Sequence, residues 1–156
     1  MRDDVAGKGL TPVTEPDAGP GAKLDEKARE LLDGRTMAVL ATRRPDGAPQ
    51  SSVVWVLRDG DALLFSSTAR RQKVRNVAGD PRVSVSFFDP ENPYLSYEIR
   101  GTAELLPDDE RTLPRALSQK YLGTDPPREE PGEVRLVIRV TPDRVVRFAP
   151  EAGGES

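Results

Sequence analysis

The 156-residue sequence contains neither cysteine nor histidine. Without cysteine there is no disulfide framework and no thiolate nucleophile. Without histidine there is no Ser-His-Asp triad, no Cys-His dyad and no zinc site of the usual kind. A hard-cation site made of carboxylates stays open, but no spaced acidic motif indicates one. These absences exclude most nucleophilic and zinc-dependent catalysis by side chains alone.

The sequence also lacks long apolar runs and a strong excess of one charge. No segment approaches the ~20 apolar residues of a transmembrane helix, and the N-terminus has no signal-peptide h-region. The 23 basic and 26 acidic residues give a net charge of −3, which argues against a bulk nucleic-acid binder. We therefore expect a cytoplasmic protein without membrane or nucleic-acid partners, and one domain with a single core.

The chain divides into a tail and one predicted domain. Residues 1–22 are rich in Gly, Pro, Asp and Thr and have no hydrophobic period, which predicts a disordered tail. Residues 23–149 are predicted to form the domain, and residues 150–156 to be a frayed end. The domain opens with a helix at about 25–32, which Asp25 caps and Gly34 ends.

Alternating apolar residues predict an antiparallel β fold. The predicted strands cover residues 36–42, 49–57, 62–66, 82–88, 94–106, 133–141 and 144–148. Asp-Gly turns separate the first three, which predicts a meander, and a Pro142-Asp143 turn separates the last two. Gly101 is predicted to mark a bend or bulge. Helices are predicted at 69–78 and 108–121, the second kinked or broken at Pro114. This pattern favours a closed or split antiparallel barrel.

A basic segment spans residues 66–76, directly after the third predicted strand. Its hydroxyl residues are Ser66, Ser67 and Thr68, and its basic residues are Arg70, Arg71, Lys73 and Arg75. The hydroxyls are predicted to cap the following helix by accepting bonds from its unpaired N–H groups. Since a helix N-terminus favours anions, the added cations predict a phosphate site. The alternative is a solvated basic helix start, because surface charge is common.

Several short motifs occur in an order that resembles one family. In chain order they are Gln50-Ser51-Ser52 with Trp55, Arg71-Gln72-Lys73-Val74-Arg75-Asn76, Asp80-Pro81-Arg82-Val83-Ser84, Glu98-Ile99-Arg100-Gly101 and Tyr121-Leu122-Gly123. Over about residues 24–148 the chain resembles the flavin/deazaflavin oxidoreductases of pyridoxamine 5′-phosphate oxidase-like fold. It is most similar to the branch that uses the deazaflavin coenzyme F420.

This resemblance implies a mainly β fold, the six-stranded antiparallel split β-barrel that binds FMN in related proteins. It further implies a homodimer with two cofactor sites in grooves at the dimer interface. The cofactor-binding residues that it implies are Gln50, Ser51, Ser52, Ser67, Thr68, Arg71, Lys73 and Asn76. Arg71 and Lys73 would hold the cofactor phosphate, with Ser67 and Thr68 adding hydroxyl or amide bonds. Asn76 would lie further along the groove.

The strand that begins with Gln50, Ser51 and Ser52 would line the tricyclic ring. Independently of the resemblance, polar residues on a strand need a hydrogen-bonding partner if they face inward, and the edge of a flavin-like ring is such a partner. The alternative is that these residues lie at a solvent-exposed end of the strand and have no functional role. Trp55 is expected to pack in the core or an interface, as are Tyr94, Tyr97 and Tyr121.

The implied function is an oxidoreductase that transfers a hydride to an unsaturated small molecule. The cofactor carries this chemistry, which suits a chain without histidine or cysteine, and we assign no catalytic residue and no metal ligand. Coenzyme F420 is favoured over FMN because it carries more anions, which the additional cations Arg43, Arg44, Arg70 and Arg75 could meet. The alternatives are an FMN-dependent oxidoreductase and a non-enzymatic protein that binds a flavin, F420 or a tetrapyrrole.

Overall fold

The computed structural model describes residues 10–18 and 21–150, which form three helices and eight strands. The helices are α1 (Glu26–Asp33), α2 (Gln72–Gly79) and α3 (Thr112–Leu122). The strands are β1 (Leu10–Ala18), β2 (Ala38–Arg43), β3 (Pro49–Val54), β4 (Leu57–Asp59), β5 (Ala62–Thr68), β6 (Arg82–Asp89), β7 (Asn92–Pro107) and β8 (Arg135–Pro150). Among these residues, no helix is both long and apolar enough to span a membrane.

One antiparallel sheet contains all the described strands. Its main path runs β3-β2-β6-β7-β8-β5-β4, and β1 pairs with β8 beside that path. In the described part of the chain no backbone ladder joins the two ends of the path, β3 and β4. The prediction of a mainly β, antiparallel split barrel is confirmed, with seven strands in the path where six were expected.

The predicted meander is wrong, because the strand expected at 49–57 divides at Trp55 and Val56. Side chains of α3 occupy the backbone groups that a continuous strand would use. The N–H of Val56 donates to the hydroxyl of Tyr121 (3.2 Å), and its carbonyl accepts from Nζ of Lys120 (2.7 Å). The break sends β4 to the other end of the sheet, where it pairs with β5.

The predicted turn at Pro142 and Asp143 is also wrong, since β8 runs through both residues. Gly101 pairs with Pro142 and Arg100 pairs with Arg144, so Asp143 is the additional residue of a bulge. The bend or bulge predicted at Gly101 is thereby confirmed. Because of this bulge, β8 pairs with β5 before it and with β1 after it.

Part of the predicted disordered tail, residues 1–22, is ordered in the structure. Residues 10–18 form β1, which pairs antiparallel with β8. The paired segment runs from Leu10 opposite Pro150 to Ala18 opposite Arg144. An edge strand is added through backbone hydrogen bonds, so the lack of a hydrophobic period did not reveal it. Residues 1–9, 19–20 and 151–156 lie outside the described residues, and Pro150, predicted as frayed, ends β8.

The first helix agrees with the sequence prediction and the third differs from it. Asp25 caps α1, accepting from the N–H of Ala28 (2.8 Å), and Gly34 ends it. Pro114 lies in the first turn of α3, where its missing N–H breaks no intrahelical bond. The predicted kink or break at this proline is therefore wrong, and α3 is one helix.

The core lies on the inner face of the sheet. Leu40, Val85, Ile99 and Val145 are paired across β2, β6, β7 and β8, and at most 1% of each is exposed. Helix α1 packs its buried side chains into the same cluster. Burying these aliphatic groups contributes roughly 1.5–3 kcal/mol for each large side chain. Because these side chains occupy the inner face of the four strands, the outer face of the same strands is left for other roles.

We predict that Gly101→Ala destabilises the fold by about 1–3 kcal/mol, the usual cost of overpacking. A Cβ at Gly101 would lie 2.6 Å from the carbonyl oxygen of Thr141 and 2.8 Å from Cγ1 of Val140. Urea unfolding measures the change. The matched control is Gly79→Ala, where nothing lies within 4 Å of the added Cβ, so its stability should not fall. Equal stability of both variants would contradict this account of the bulge.

Candidate functional site

The start of α2 is built differently from the sequence prediction. Ser66, Ser67 and Thr68 belong to β5, so they do not cap the helix. Arg71 is the N-cap residue, with extended backbone and no side-chain capping bond. The first N–H groups of a helix have no intrahelical acceptor, and the helix dipole adds positive potential there. The helix start therefore favours an anion without any help from a hydroxyl cap.

Two of the four cations in this segment have no partner among the described residues. Arg70 forms an ion pair with Glu133 (2.6 Å), and Arg75 donates to Oε1 of Gln72 (2.7 Å). The side chains of Arg71 and Lys73 form no hydrogen bond or ion pair with any residue that the structure describes. We call these two side chains and the first amides of α2 the anion site.

Lys73 is half-buried, and burial, followed by the nearby charge of Arg71, lowers the pKa of its ammonium group. Burial and the like charge of Arg71 both disfavour the charged form of Lys73, and an anion bound beside it would offset both effects. This is the behaviour expected of a phosphate or carboxylate site.

The four additional cations predicted to meet a longer anionic tail are mostly engaged elsewhere. Arg43 donates to Asp80 at 3.0 Å, and Arg70 and Arg75 have the partners given above. Only Arg44 forms no side-chain bond within the described residues. An arginine that the sequence analysis did not single out, Arg128, instead borders the cleft beside Thr68 and Arg71.

The hydroxyls of β5 point to different sides of the strand. Ser67 is 5% exposed and lies on the same face as the core residues Leu63 and Phe65. Thr68 lies on the opposite face and borders an open cleft of about 500 Å³ together with Arg71. The structure thus brings Thr68, but not Ser67, to the predicted phosphate-binding region.

Gln50, predicted from the sequence to line the ring, and Asn76, predicted to lie further along the groove from the phosphate, are connected through Thr42. The hydroxyl of Thr42 donates to Oε1 of Gln50 (2.9 Å) and accepts from Nδ2 of Asn76 (2.9 Å). Thr42 is 4% exposed and Asn76 is 1% exposed. Asn76 is therefore a buried link between α2 and β2, and it does not line an open groove.

The direction of this chain of hydrogen bonds is set at its solvent end. A guanidinium has no acceptor, so Arg75 requires the oxygen of the Gln72 amide. The Nε2 of Gln72 then donates to Oδ1 of Asn76 (2.7 Å), which turns Nδ2 of Asn76 toward Thr42. Because the single hydroxyl proton of Thr42 goes to Oε1 of Gln50, the amide of Gln50 turns its Nε2 away from Thr42. One N–H of this Nε2 donates to the carbonyl of Ser51 (3.4 Å), and the other has no partner among the described residues. We call this series the amide relay.

Ser51 and Ser52 lie on opposite faces of β3. Ser52 is opposite Leu40, on the inner face that also carries Gln50, whereas Ser51 is exposed on the outer face. The Oγ of Ser52 is buried and has no hydrogen-bond partner among the described residues. Buried hydroxyls rarely stay unpaired, so this face suits a ligand with polar groups along its edge. Ser51 does not share that face.

Trp55, Lys120 and Tyr121 form a cluster at the break between β3 and β4. The rings of Trp55 and Tyr121 stack with centroids 5.0 Å apart. Nζ of Lys120 donates to the carbonyls of Leu32 and Val56, and burial lowers its pKa to about 8. Sequence analysis assigned packing roles to Trp55 and Tyr121 and missed Lys120, because a single lysine in a helix gives no signal of burial.

The outer face of the sheet carries exposed apolar side chains. Met37, Val39, Val53 and Phe88 are between 37% and 64% exposed. All four border a shallow depression that extends from β2 and β3 over β6 to β7 and β8. Exposed apolar patches of this kind mark interaction surfaces in many proteins.

Comparisons with known proteins agree with this geometry. Residues 24–148 match the sequence profile of the family described as pyridoxamine 5′-phosphate oxidase. A solved structure named F420 reductase is 37% identical, and the match covers 78% of this chain and 98% of that chain with a TM-score of 0.70.

Two more distant structures share the fold. One is a FAD-binding protein from Mesorhizobium loti (18% identity, 89% of this chain and 96% of that chain, TM-score 0.62). The other is an FMN-binding protein from Nostoc punctiforme that is related to pyridoxamine 5′-phosphate oxidase (21% identity, 75% of each chain, TM-score 0.53). At these identities the likeness concerns the fold alone.

We predict that Thr42→Val lowers the free energy of unfolding by about 1–3 kcal/mol, because it leaves the buried Nδ2 of Asn76 and the partly buried Oε1 of Gln50 without their partner. Valine has nearly the shape of threonine, so packing changes little. Thr42→Ser is the matched control that keeps the hydroxyl, and it should lose less stability. Urea unfolding compares the three proteins, and a valine variant as stable as wild type would disprove the buried relay.

Proposed function

The chain belongs to the pyridoxamine 5′-phosphate oxidase family, and from this premise we propose that it is an oxidoreductase that binds coenzyme F420. In this proposal it uses the reduced cofactor to transfer a hydride to an unsaturated small molecule. The observation that carries the proposal is the anion site. Within the described part of the chain, Arg71 and Lys73 are the two cations of the segment 70–75 whose side chains have no partner, and they lie at the N-cap and in the first turn of a helix.

The anion site would hold the phosphate of the cofactor. A phosphate oxygen accepts charge-assisted hydrogen bonds from guanidinium, ammonium and backbone N–H groups. Thr68 lies on the cleft side of β5 and can add a hydroxyl bond. Binding would also remove the repulsion between Lys73 and Arg71.

The inner face of β3 would hold the ring edge. The amide relay directs the Nε2 donor of Gln50 to that side, where a ring carbonyl is a suitable acceptor. The hydroxyl of Ser52 can donate or accept, and it has no partner in the described residues. When bound, the reduced ring supplies the hydride. The role of these residues is to orient the ring.

Coenzyme F420 is favoured over FMN by two observations. The 37% identical structure is named F420 reductase. The cleft beside the anion site also continues past Arg71 to Arg128, which forms no ion pair within the described residues. Three glutamates share its lining, of which Glu129 and Glu133 are paired with arginines and Glu130 has no ion pair among the described residues. F420 carries a phosphodiester and a polyglutamate tail, so its anions extend over a longer path than the single phosphate of FMN.

We further propose that the protein is a homodimer that covers the exposed apolar face of β2, β3 and β6. Val53 is 64% exposed and lies on this face between Ser51 and the strand break. A second copy would bury the apolar patch. Ser51 would then lie at the dimer interface. It would contribute there, because it does not lie on the inner face of β3 that would hold the ring.

Titration of the purified protein with F420 and with FMN tests the choice of cofactor. We expect saturable binding of F420, followed by its own fluorescence, with weaker binding of FMN. Turnover is then measured with reduced F420 and a panel of enones, quinones and biliverdin. Tight binding of FMN without binding of F420 would refute the choice of cofactor, and tight F420 binding without turnover of any acceptor would favour a non-enzymatic binder.

We predict that Lys73→Ala weakens cofactor binding by about 1.5–3 kcal/mol, the worth of a charge-assisted hydrogen bond. Lys73→Arg keeps the charge and should retain most of the affinity. Lys23→Ala removes an exposed lysine outside the site and should leave affinity unchanged. Thermal unfolding should be similar for all three variants. Unaltered affinity in Lys73→Ala would place the phosphate elsewhere.

A further inference from the structure

A cavity of about 340 Å³ lies where β3 ends, next to the proposed ring position. Its apolar lining residues include Val54, Trp55, Pro114, Leu117, Pro126 and Pro127. Its polar lining residues are Ser66, Arg128, Glu129 and Arg135, and they contribute less of its surface than the apolar ones. Small-molecule sites typically have this composition, with apolar walls and a few polar groups that fix orientation.

The guanidinium of Arg135 is held in place on two of its three nitrogens. Nη1 donates to Oγ of Ser66 (3.2 Å), and Nη2 donates to Oε2 of Glu129. The other carboxylate oxygen of Glu129 accepts from Nε of Arg111 (2.6 Å). Arg135 and then Arg111 lower the pKa of Glu129, so it is ionised. One carboxylate between two guanidiniums leaves this group with a net positive charge.

The third nitrogen of Arg135 lacks an acceptor. Its Nε–H is buried and has no hydrogen-bond partner among the described residues. A buried charged donor left unpaired costs free energy. A ligand oxygen in the cavity that Arg135 lines would remove this cost. The two fixed bonds prevent the guanidinium from turning to find another partner.

We propose that this cavity binds the substrate, a planar and largely apolar molecule with a conjugated carbonyl whose oxygen accepts from Nε of Arg135. The assignment rests on the proposed function, because the hydride comes from the reduced cofactor. Val54 follows Gln50 and Ser52 on the same face of β3. Same-face residues are about 7 Å apart along a strand, so the cavity adjoins the ring position.

The chemistry of such a substrate uses the charge of Arg135. A hydride adds to the carbon conjugated with the carbonyl, and the electron pair of the double bond moves to the oxygen. Arg135 stabilises the negative charge that develops on that oxygen. One proton from solvent completes the reduction, so the substrate gains two electrons and the cofactor loses two. Arg135 contacts the reacting system and is a catalytic residue in this proposal.

The chain contains a single tryptophan, and Trp55 lines the cavity, so its fluorescence reports occupancy directly. The probe is menadione, a naphthoquinone, with methylnaphthalene as the probe without carbonyls. We expect saturable quenching of wild-type protein by menadione and weaker binding of methylnaphthalene. Arg135→Met should weaken menadione binding about tenfold or more by removing a charged donor, and should leave methylnaphthalene binding unchanged.

Two further variants make the test specific. Arg139→Met changes an arginine of the same strand that pairs with Asp59, and menadione binding should stay at the wild-type level. Arg135→Lys keeps a positive charge but removes the Nε donor, so it should rescue menadione binding only in part. Thermal unfolding of each variant identifies any loss of fold. Equal menadione affinity in wild type and a folded Arg135→Met variant would overturn the proposal.

The cofactor site and the cavity are tested separately. Lys73→Ala should lose cofactor affinity and keep menadione affinity. If Lys73→Ala keeps cofactor affinity while Arg135→Met loses menadione affinity, the proposed cofactor site fails and the cavity assignment stands. If saturation with F420 abolishes menadione binding, the ring itself fills the cavity and the substrate assignment is overturned.

Discussion

The buried hydroxyl of Thr42 connects the two halves of the candidate site. It joins Asn76 of α2 to Gln50 of β3, so the helix that carries the anion site and the strand that carries the polar edge keep one relative position. Such a network orders a site only when every member is paired. Here the arginine at its solvent end determines every amide orientation, and the last amide presents a donor.

Electrostatic pairing then separates the cations that bind protein carboxylates from those without a partner among the described residues. The fold satisfies most arginines with carboxylates, as in the pairs Arg70–Glu133 and Arg43–Asp80. Exposed pairs of this kind contribute little stability, but they leave the charge of Arg71 and Lys73 unbalanced. A basic segment that is uniform in the sequence thus becomes, in the folded protein, one anion site between Arg70, which pairs with Glu133, and Arg75, which is bound to Gln72.

Most secondary structure could be predicted because it depends on local patterns. Asp25 caps the first helix as its sequence position indicates, and Gly101 lies at a bulge. One error occurred where distant side chains replaced local partners. The strand break at Val56 depends on Lys120 and Tyr121, more than sixty residues further along, and an alternating pattern alone cannot reveal such contacts.

By itself the sequence determined the β-barrel class, the family resemblance and the basic segment with its two significant cations, because strand alternation, turn residues and charge are local properties. Only the tertiary structure decided which faces those residues occupy. It placed Ser51 outside and Ser52 inside, removed Ser67 to the core, and made Asn76 a buried link. The physical reason is that pairing between distant segments determines which polar groups find partners within the protein, and the unpaired groups define the site.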